Sequence, residues 1–388
     1  MRFLHLSDLH FGKVVNSISM IDEQRHAVSQ ILDIIDRTNP NAVIIAGDIY
    51  DKYIPSVEAV ELFSDFLARL SEKKHINGDK SETLHIFIIS GNHDSPERLD
   101  FGSKIMDRQG VHIRSVFEGA PSPITLEDDI GKVNFYLLPF VKPVHVRSVF
   151  PDEEIVTYND AVRTVLSHTP VNREERNVIV THQFITSAKR CDSETVTSVG
   201  GTDNIDSCEF DAFDYVALGH IHGPQSIDRE AVRYCGTPIS YSFSEMDQQK
   251  SVTVVDMDEK GSVKITLEPL TPLHNMREIR GSYDELTLRA NYEGTDVNDY
   301  IRVVLTDEDV VQNPLKILAQ IYPNIMSVMY DNERTRASSV IAEIERLEEK
   351  SNIELLNEFF LLQNGAALNE EQISFSKALF EALGGDLK

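Results

Sequence analysis

Five times within the first 222 residues, an apolar run of strand length stops at aspartate, asparagine or histidine. The runs are "RFLHLSDLH", "AVIIAGD", "IFIISGNHD", "NVIVTHQ" and "VALGHIH". A strand read as nearly continuous apolar residues is one buried on both faces, and such strands sit inside α/β layers. Between them, "DEQRHAVSQILDIIDRT" and "SVEAVELFSDFLARLSEKK" carry apolar residues at helical spacing. "KVNFYLLPF" and "SVTVVDMD" read as further strands. The pattern predicts, for residues 1–268, an α/β fold: a two-layer β-sandwich flanked by helices. Its polar residues fall just past strand ends, where open sheets hold their ligands.

The rest of the chain is organised differently. Residues 183–213 are polar and rich in Gly, Ser and Thr, a length that marks a working loop and not a plain connection. Residues 269–330 read as a small α+β module in the order β-α-β-α-β, and 331–350 as a charged linker. Residues 351–388 carry two amphipathic helices, one with Leu355, Leu356, Phe359, Phe360 and Leu362, the other with Ile373, Phe375, Leu379 and Phe380. So short a pair is marginal alone. Its apolar faces suit docking into a groove on another chain.

Bulk properties exclude several classes. No apolar run approaches the ~20 residues of a membrane helix. The three cysteines, Cys191, Cys208 and Cys235, share no metal-binding spacing, which predicts reduced thiols and a cytoplasmic chain. The net charge of −26 argues against a protein that holds nucleic acid by its own bulk charge.

The strand-end residues point to chemistry. Taken singly, each has an ordinary reading: Asp48 can cap a helix, and Asn92 and Asp94 can satisfy turn amides. Five in order, each after a strand, do not. Carboxylate, amide oxygen and imidazole without thiolate suit divalent Mn, Fe or Zn. Seven candidate ligands exceed the need of one ion. Two ions about 3.5–4 Å apart, sharing a carboxylate, lower the pKa of a water and clamp a phosphoryl group from both sides.

This order of motifs resembles the calcineurin-like metallophosphoesterases. "HLSDLHFGK", "AGDIYDKYIPS", "ISGNHDSPERL", "VALGHIHGPQ" and "YCGTPISYSFSE" further resemble the SbcD family of bacterial nuclease subunits, as do "DYIRVVLTDEDVVQNP" and "IYPNIMSVMY". The resemblance implies a metallophosphoesterase fold at 1–268, a DNA-recognition cap at 269–330, and C-terminal helices at 351–388 that bind an SbcC-type ATPase. It implies two divalent cations, manganese foremost, with magnesium, iron or zinc as alternatives. Asp8, His10, Asp48 and His222 would hold one cation, and Asp48, Asn92, His182 and His220 the other. His93 would assist the transition state, imidazole being the side chain that most readily exchanges protons near neutral pH. Asp51 stands where some relatives carry a histidine. It stays outside the catalytic set, with capping of the following helix as its ordinary role.

The implied reaction is hydrolysis of duplex DNA ends by a 3′-to-5′ exonuclease and of single-stranded or hairpin DNA by an endonuclease, in repair, recombination and replication. The implied assembly is a homodimer through the nuclease domain, with the ATPase partner supplying most nonspecific DNA affinity. The alternative is a small-molecule or cyclic-nucleotide phosphodiesterase on the same two-cation site.

Overall fold

Successive residues of a strand face opposite sides, and in strand Arg2–Leu6 both sides are dry: Phe3 faces one core and Leu4 another. Strand Ala42–Ala46 repeats this, with Ala42, Ile44 and Ala46 in one cluster and Val43 and Ile45 in the other. This double burial is why the runs lack polar alternation.

The computed structural model describes residues 1–194, 204–333 and 335, with short pieces at 356–357, 368–369, 372–373 and 375–376. Two six-stranded sheets form the first unit, Met1–Arg277 with Asn298–Ile301. One runs in the order Val263–Pro269, Ser251–Met257, Arg2–Leu6, Ala42–Ala46, His85–Ile89, Val111–Arg114. The other runs Gln225–Ile227, Arg229–Tyr234, Tyr215–Leu218, Arg176–Thr181, Gly131–Leu138, Ile124–Asp128. In the first sheet Arg2–Leu6, Ala42–Ala46 and His85–Ile89 are parallel neighbours, and in the second Arg176–Thr181 and Tyr215–Leu218 are.

Phe3, Phe87 and Ile44 of the first sheet join Phe135, Val178 and Tyr215 of the second in one core, with the Phe87 and Phe135 rings stacked at 4.4 Å. Helices cover the outer faces. Ile21–Thr38 lays Val28, Ile31 and Ile35 on the first sheet, beside Leu62, Phe66 and Leu70 of Val57–Glu72. Tyr158–Ser167 covers the second with Val162 and Val165. The predicted helical sandwich is what forms.

Two sequence expectations change. Helix Val57–Glu72 is capped by Ser56, whose Oγ accepts from Ala59 N at 3.3 Å, so Asp51 is not its cap. The polar stretch 183–213 also holds structure: Ile185 bridges Ile205 in parallel, and Ser207–Phe210 makes a 3₁₀ turn.

Far from the polar strand ends, Arg176 is buried at 3% exposure. Its guanidinium donates to Asp128 Oδ2 at 3.1 Å and to the carbonyls of Gly131 (2.7 Å), Met257 (3.2 Å) and Asp258 (3.0 Å), so it ties the two sheets together. Burial alone would raise Asp128, but the Arg176 hydrogen bonds, and after them the Met1 ammonium at 2.7 Å, outweigh it and hold the carboxyl well below its usual 3.8. Arg176→Met should therefore lower stability by about 1–3 kcal/mol, the cost of leaving buried carbonyl acceptors without their donor, while the Met1 ammonium still faces Asp128 at 2.7 Å. The depressed carboxylate contributes stability above its unfolded pKa and loses it as pH falls through the folded value. Urea melts from pH 6 downward should show a steep acid limb in the wild type, starting near pH 4, and a flatter one in the variant.

The second unit comprises Glu278–Val297 and Arg302–Lys388. Most of a three-stranded sheet belongs to it, in the order Met276–Gly281, Tyr300–Leu305, Ile325–Tyr330. Short helices Tyr283–Thr287, Arg289–Tyr292 and Pro314–Leu318 intervene, one more than the β-α-β-α-β reading. Residues 336–350 of the charged stretch lie outside the described residues, as do Leu355, Phe359, Phe360, Leu362, Leu379 and Phe380 of the tail. Among the described residues, no helix is long and apolar enough to cross a membrane.

Candidate metal centre

All five strands that end in a motif deliver it to the same edge of the sandwich. Asp8 follows Arg2–Leu6, Asp48 follows Ala42–Ala46, and Asn92 and His93 follow His85–Ile89; His182 follows Arg176–Thr181, and His220 follows Tyr215–Leu218. The loops are tied to one another: Asp8 N donates to Gly47 O, His10 N to Asp48 O and Phe11 N to Ile49 O, at 2.8–3.0 Å. Asp94 pins the turn, accepting from the backbone N–H of Gly91 (2.9 Å), Tyr50 (3.0 Å) and Ile49 (3.2 Å). Asp8, His10, Asp48 and His220 all have positive φ (53°, 43°, 49° and 100°), a region uncommon for side-chain-bearing residues and frequent at working sites. Gly91 and Gly219 admit no side chain: a Cβ would lie 2.1 Å from Asp48 Oδ1 and from the Ala46 carbonyl respectively.

Asp48 stands at the middle. Its Oδ2 is 3.3 Å from His182 Nε2, 3.7 Å from His10 Nε2 and 4.0 Å from His93 Nε2. On one side, His10 Nε2 is 3.1 Å from His222 Nε2 and 4.0 Å from Asp8 Oδ1. On the other, Asn92 Oδ1 is 3.1 Å from His182 Nε2 and 2.9 Å from His220 Nδ1. Among the described residues, three trios have ligand atoms within 4.8 Å of one another: Asp8–His10–His222, Asp8–Asp48–His182 and His10–Asp48–His93. The structure thus brings together all seven expected ligands and His93.

The electrostatics of the cluster suit positive charge at its middle. Burial would depress the His182 imidazole, but Asp48 and then Asp8 outweigh it and lift it to about 9. Burial pushes Asp8 up to about 7, opposed by His182 and reinforced by Asp48. His220 and His222 are driven down to about 3, chiefly by burial, and are neutral lone-pair donors. Among the seven, His10 Nδ1 and His220 Nε2 are buried without a hydrogen-bond partner. Two carboxylates, an amide oxygen and four imidazoles packed in this way fit divalent cations.

His93 differs from its neighbours. Its ring is partly exposed where Asp8, His10, Asp48, His182 and His222 are fully buried, and Nδ1 faces the Asp51 carbonyl at 2.8 Å, an acceptor that places the proton on Nδ1. Its backbone N–H donates to Asp48 Oδ1 at 2.8 Å. Asp51 turns its carboxylate to Lys13 Nζ at 2.8 Å. His5 belongs to the core, with Nδ1 2.9 Å from Tyr215 Oη.

Sequence reasoning missed the residues behind the ligands. Ser193, Glu194, Glu245 and Lys250 surround His222, and Gln24 and Tyr241 hold the loop carbonyls of His10 and Leu9. Glu245 ends the segment "YCGTPISYSFSE", a signal that was present but carried no spacing to a ligand.

Fold and site together define a metal-dependent phosphoesterase, and residues 1–224 match the calcineurin-like phosphoesterase family. The chain belongs to that family. Residues 272–364 match the type 5 capsule protein repressor C-terminal domain. The chain is 32% identical over 330 residues to the SbcD component of the SbcCD nuclease of Staphylococcus epidermidis, covering 84% of this chain and 85% of the relative. It is 30% identical over 332 residues to the SbcD component of the same nuclease from Staphylococcus saprophyticus, covering 84% of each.

Proposed function

We propose that this chain is the nuclease subunit of an SbcCD-type complex, cutting duplex DNA ends as a 3′-to-5′ exonuclease and hairpin or single-stranded DNA as an endonuclease. The observation that carries it is the convergence on Asp48 of ligands from five loops, with the partly exposed His93 and Asn92 on the side a phosphodiester can reach. Asp8, His10, Asp48 and His222 hold one divalent cation, and Asp48, Asn92, His182 and His220 the other, with manganese the favoured ion. When bound, such cations polarise the phosphoryl group and make water a nucleophile at neutral pH. His93, held by Asp51 O through Nδ1–H, presents Nε2 to the leaving oxygen and donates from it when the ring carries its second proton.

Residues 269–330 serve as a DNA-recognition cap, and the tail from 351 binds the ATPase partner. That partner supplies the basic surface which a net charge of −26 withholds. The three cysteines are unpaired, consistent with a cytoplasmic setting. A homodimer forms through the nuclease domain. Tyr53, Val60 and Phe101 line an apolar cavity of about 380 Å³, and Phe101 and Ile105 are 86% and 72% exposed, an apolar patch of the kind that marks interfaces. Phe101→Asp with Ile105→Asp should convert the dimer to monomer in light scattering without changing the melting temperature by more than about 2 °C; an unchanged mass would place the interface elsewhere.

The acidity favours a second reading, a small-molecule phosphodiesterase. Assaying bis(p-nitrophenyl) phosphate against a DNA hairpin, each with manganese and with and without the ATPase partner, separates them. Hairpin cleavage stimulated by the partner supports the nuclease. Cleavage of the small ester alone supports the second reading.

A further inference from the structure

A hydrogen-bonded chain behind His222 determines which of its nitrogens faces the centre. Glu245 is fully buried, with Oε2 accepting from Lys250 Nζ at 2.6 Å. Its Oε1 accepts from Ser193 Oγ at 2.5 Å. A carboxylate beside a buried ammonium accepts only, and a serine hydroxyl has one proton to give. That proton points at Glu245, so toward His222 Nδ1, 2.6 Å away, Ser193 Oγ is the acceptor. The imidazole proton is thereby held on Nδ1, and Nε2 turns its lone pair to the centre, 3.1 Å from His10 Nε2. The backbone of His222 is gripped from the same two segments: its N–H donates to Glu194 Oε1 at 2.7 Å, and its carbonyl accepts from Lys250 Nζ at 3.1 Å.

We propose that Ser193 and Glu245 are positioning residues that lock His222 into the tautomer able to bind a cation through Nε2. The inference rests on the reading that His222 is a cation ligand. Neither residue touches the substrate or the cation. Partners that orient a ligating imidazole typically change metal affinity 10–100-fold.

Two substitutions test it in the full chain. Ser193→Ala removes the acceptor and leaves the Nδ1–H without its partner. Glu245→Gln keeps the shape but reverses the chain: its amide oxygen serves Lys250, and its amide N–H₂ donates to Ser193. Ser193 must then donate to His222 Nδ1, which moves the imidazole proton to Nε2.

In cation-free protein labelled with ¹⁵N-histidine, the wild type should show His222 protonated at Nδ1, S193A a mixture, and E245Q protonation at Nε2. Manganese titrations followed by electron paramagnetic resonance should show two sites in the wild type. In S193A and E245Q one site should weaken about 10–100-fold while the other changes less than about threefold. Ser193→Thr, which retains the hydroxyl, should restore both. An unchanged tautomer with wild-type affinity at both sites in S193A and E245Q would overturn the proposal. A wild type that binds no manganese would instead overturn the cation-site reading beneath it. Should E245Q fail to fold, S193A with its S193T rescue decides the matter, because the loop serine leaves the Glu245–Lys250 pair intact.

Discussion

Asp48→Asn should bind neither cation at concentrations that saturate the wild type, and its cleavage of DNA should fall to background. Asp48 is the carboxylate common to both halves of the centre, within 3.3–4.0 Å of His182, His10 and His93. Its charge also outweighs the burial that would otherwise depress His182. An amide keeps the size and can still accept from His93 N, so the turn at Gly91 survives while the anion is lost. The cleanest readout is thermal. A ligand that binds only the folded state stabilises it by about 4 kcal/mol at a thousandfold excess over its dissociation constant. Manganese should raise the melting temperature of the wild type and leave Asp48→Asn where it was. A variant stabilised as strongly as the wild type would remove Asp48 from the shared position.

His93→Gln should do the opposite: cleavage drops about 10²–10⁴-fold, the usual worth of a positioned general acid, while manganese content stays at the wild-type level. The separation is possible because His93 contributes to the fold through its backbone N–H, which the variant keeps. Its ring is partly exposed, with Nδ1 facing the Asp51 carbonyl and Nε2 4.0 Å from Asp48 Oδ2. Single-turnover rates on a hairpin, with metal content measured on the same sample, check both halves. Cleavage persisting within about tenfold of wild type would show that another group handles the leaving oxygen. Loss of manganese would make His93 a ligand.

The ligands were legible because of how buried parallel strands must end. A strand dry on both faces carries few polar residues before it leaves the sheet, and those it carries, such as His5 and Asn177, are hydrogen-bonded. Asp8, Asp48, Asn92, His182 and His220 therefore stand out against largely apolar runs. Strands with one wet face were not legible. Ile124–Asp128 alternates half-buried and exposed residues, and Arg229–Tyr234 mixes three burial classes, so neither reads as an apolar run. Asp51 was ambiguous for a related reason. A carboxylate just before a helix has the same local sequence whether it caps that helix or pairs with Lys13.

What the chain's own order of residues determined was the layered α/β frame and the identity of the groups brought to its edge, because burial and strand periodicity are local in origin. What only the tertiary structure decided was partnership. Ser193 meets Glu245 across 52 positions and His222 across 29. Arg176 reaches Asp128 across 48 and Asp258 across 82. No spacing rule encodes such pairs. They exist because two sheets stack and their loops close over the same edge, where a buried proton or charge must find whichever partner the fold brings near.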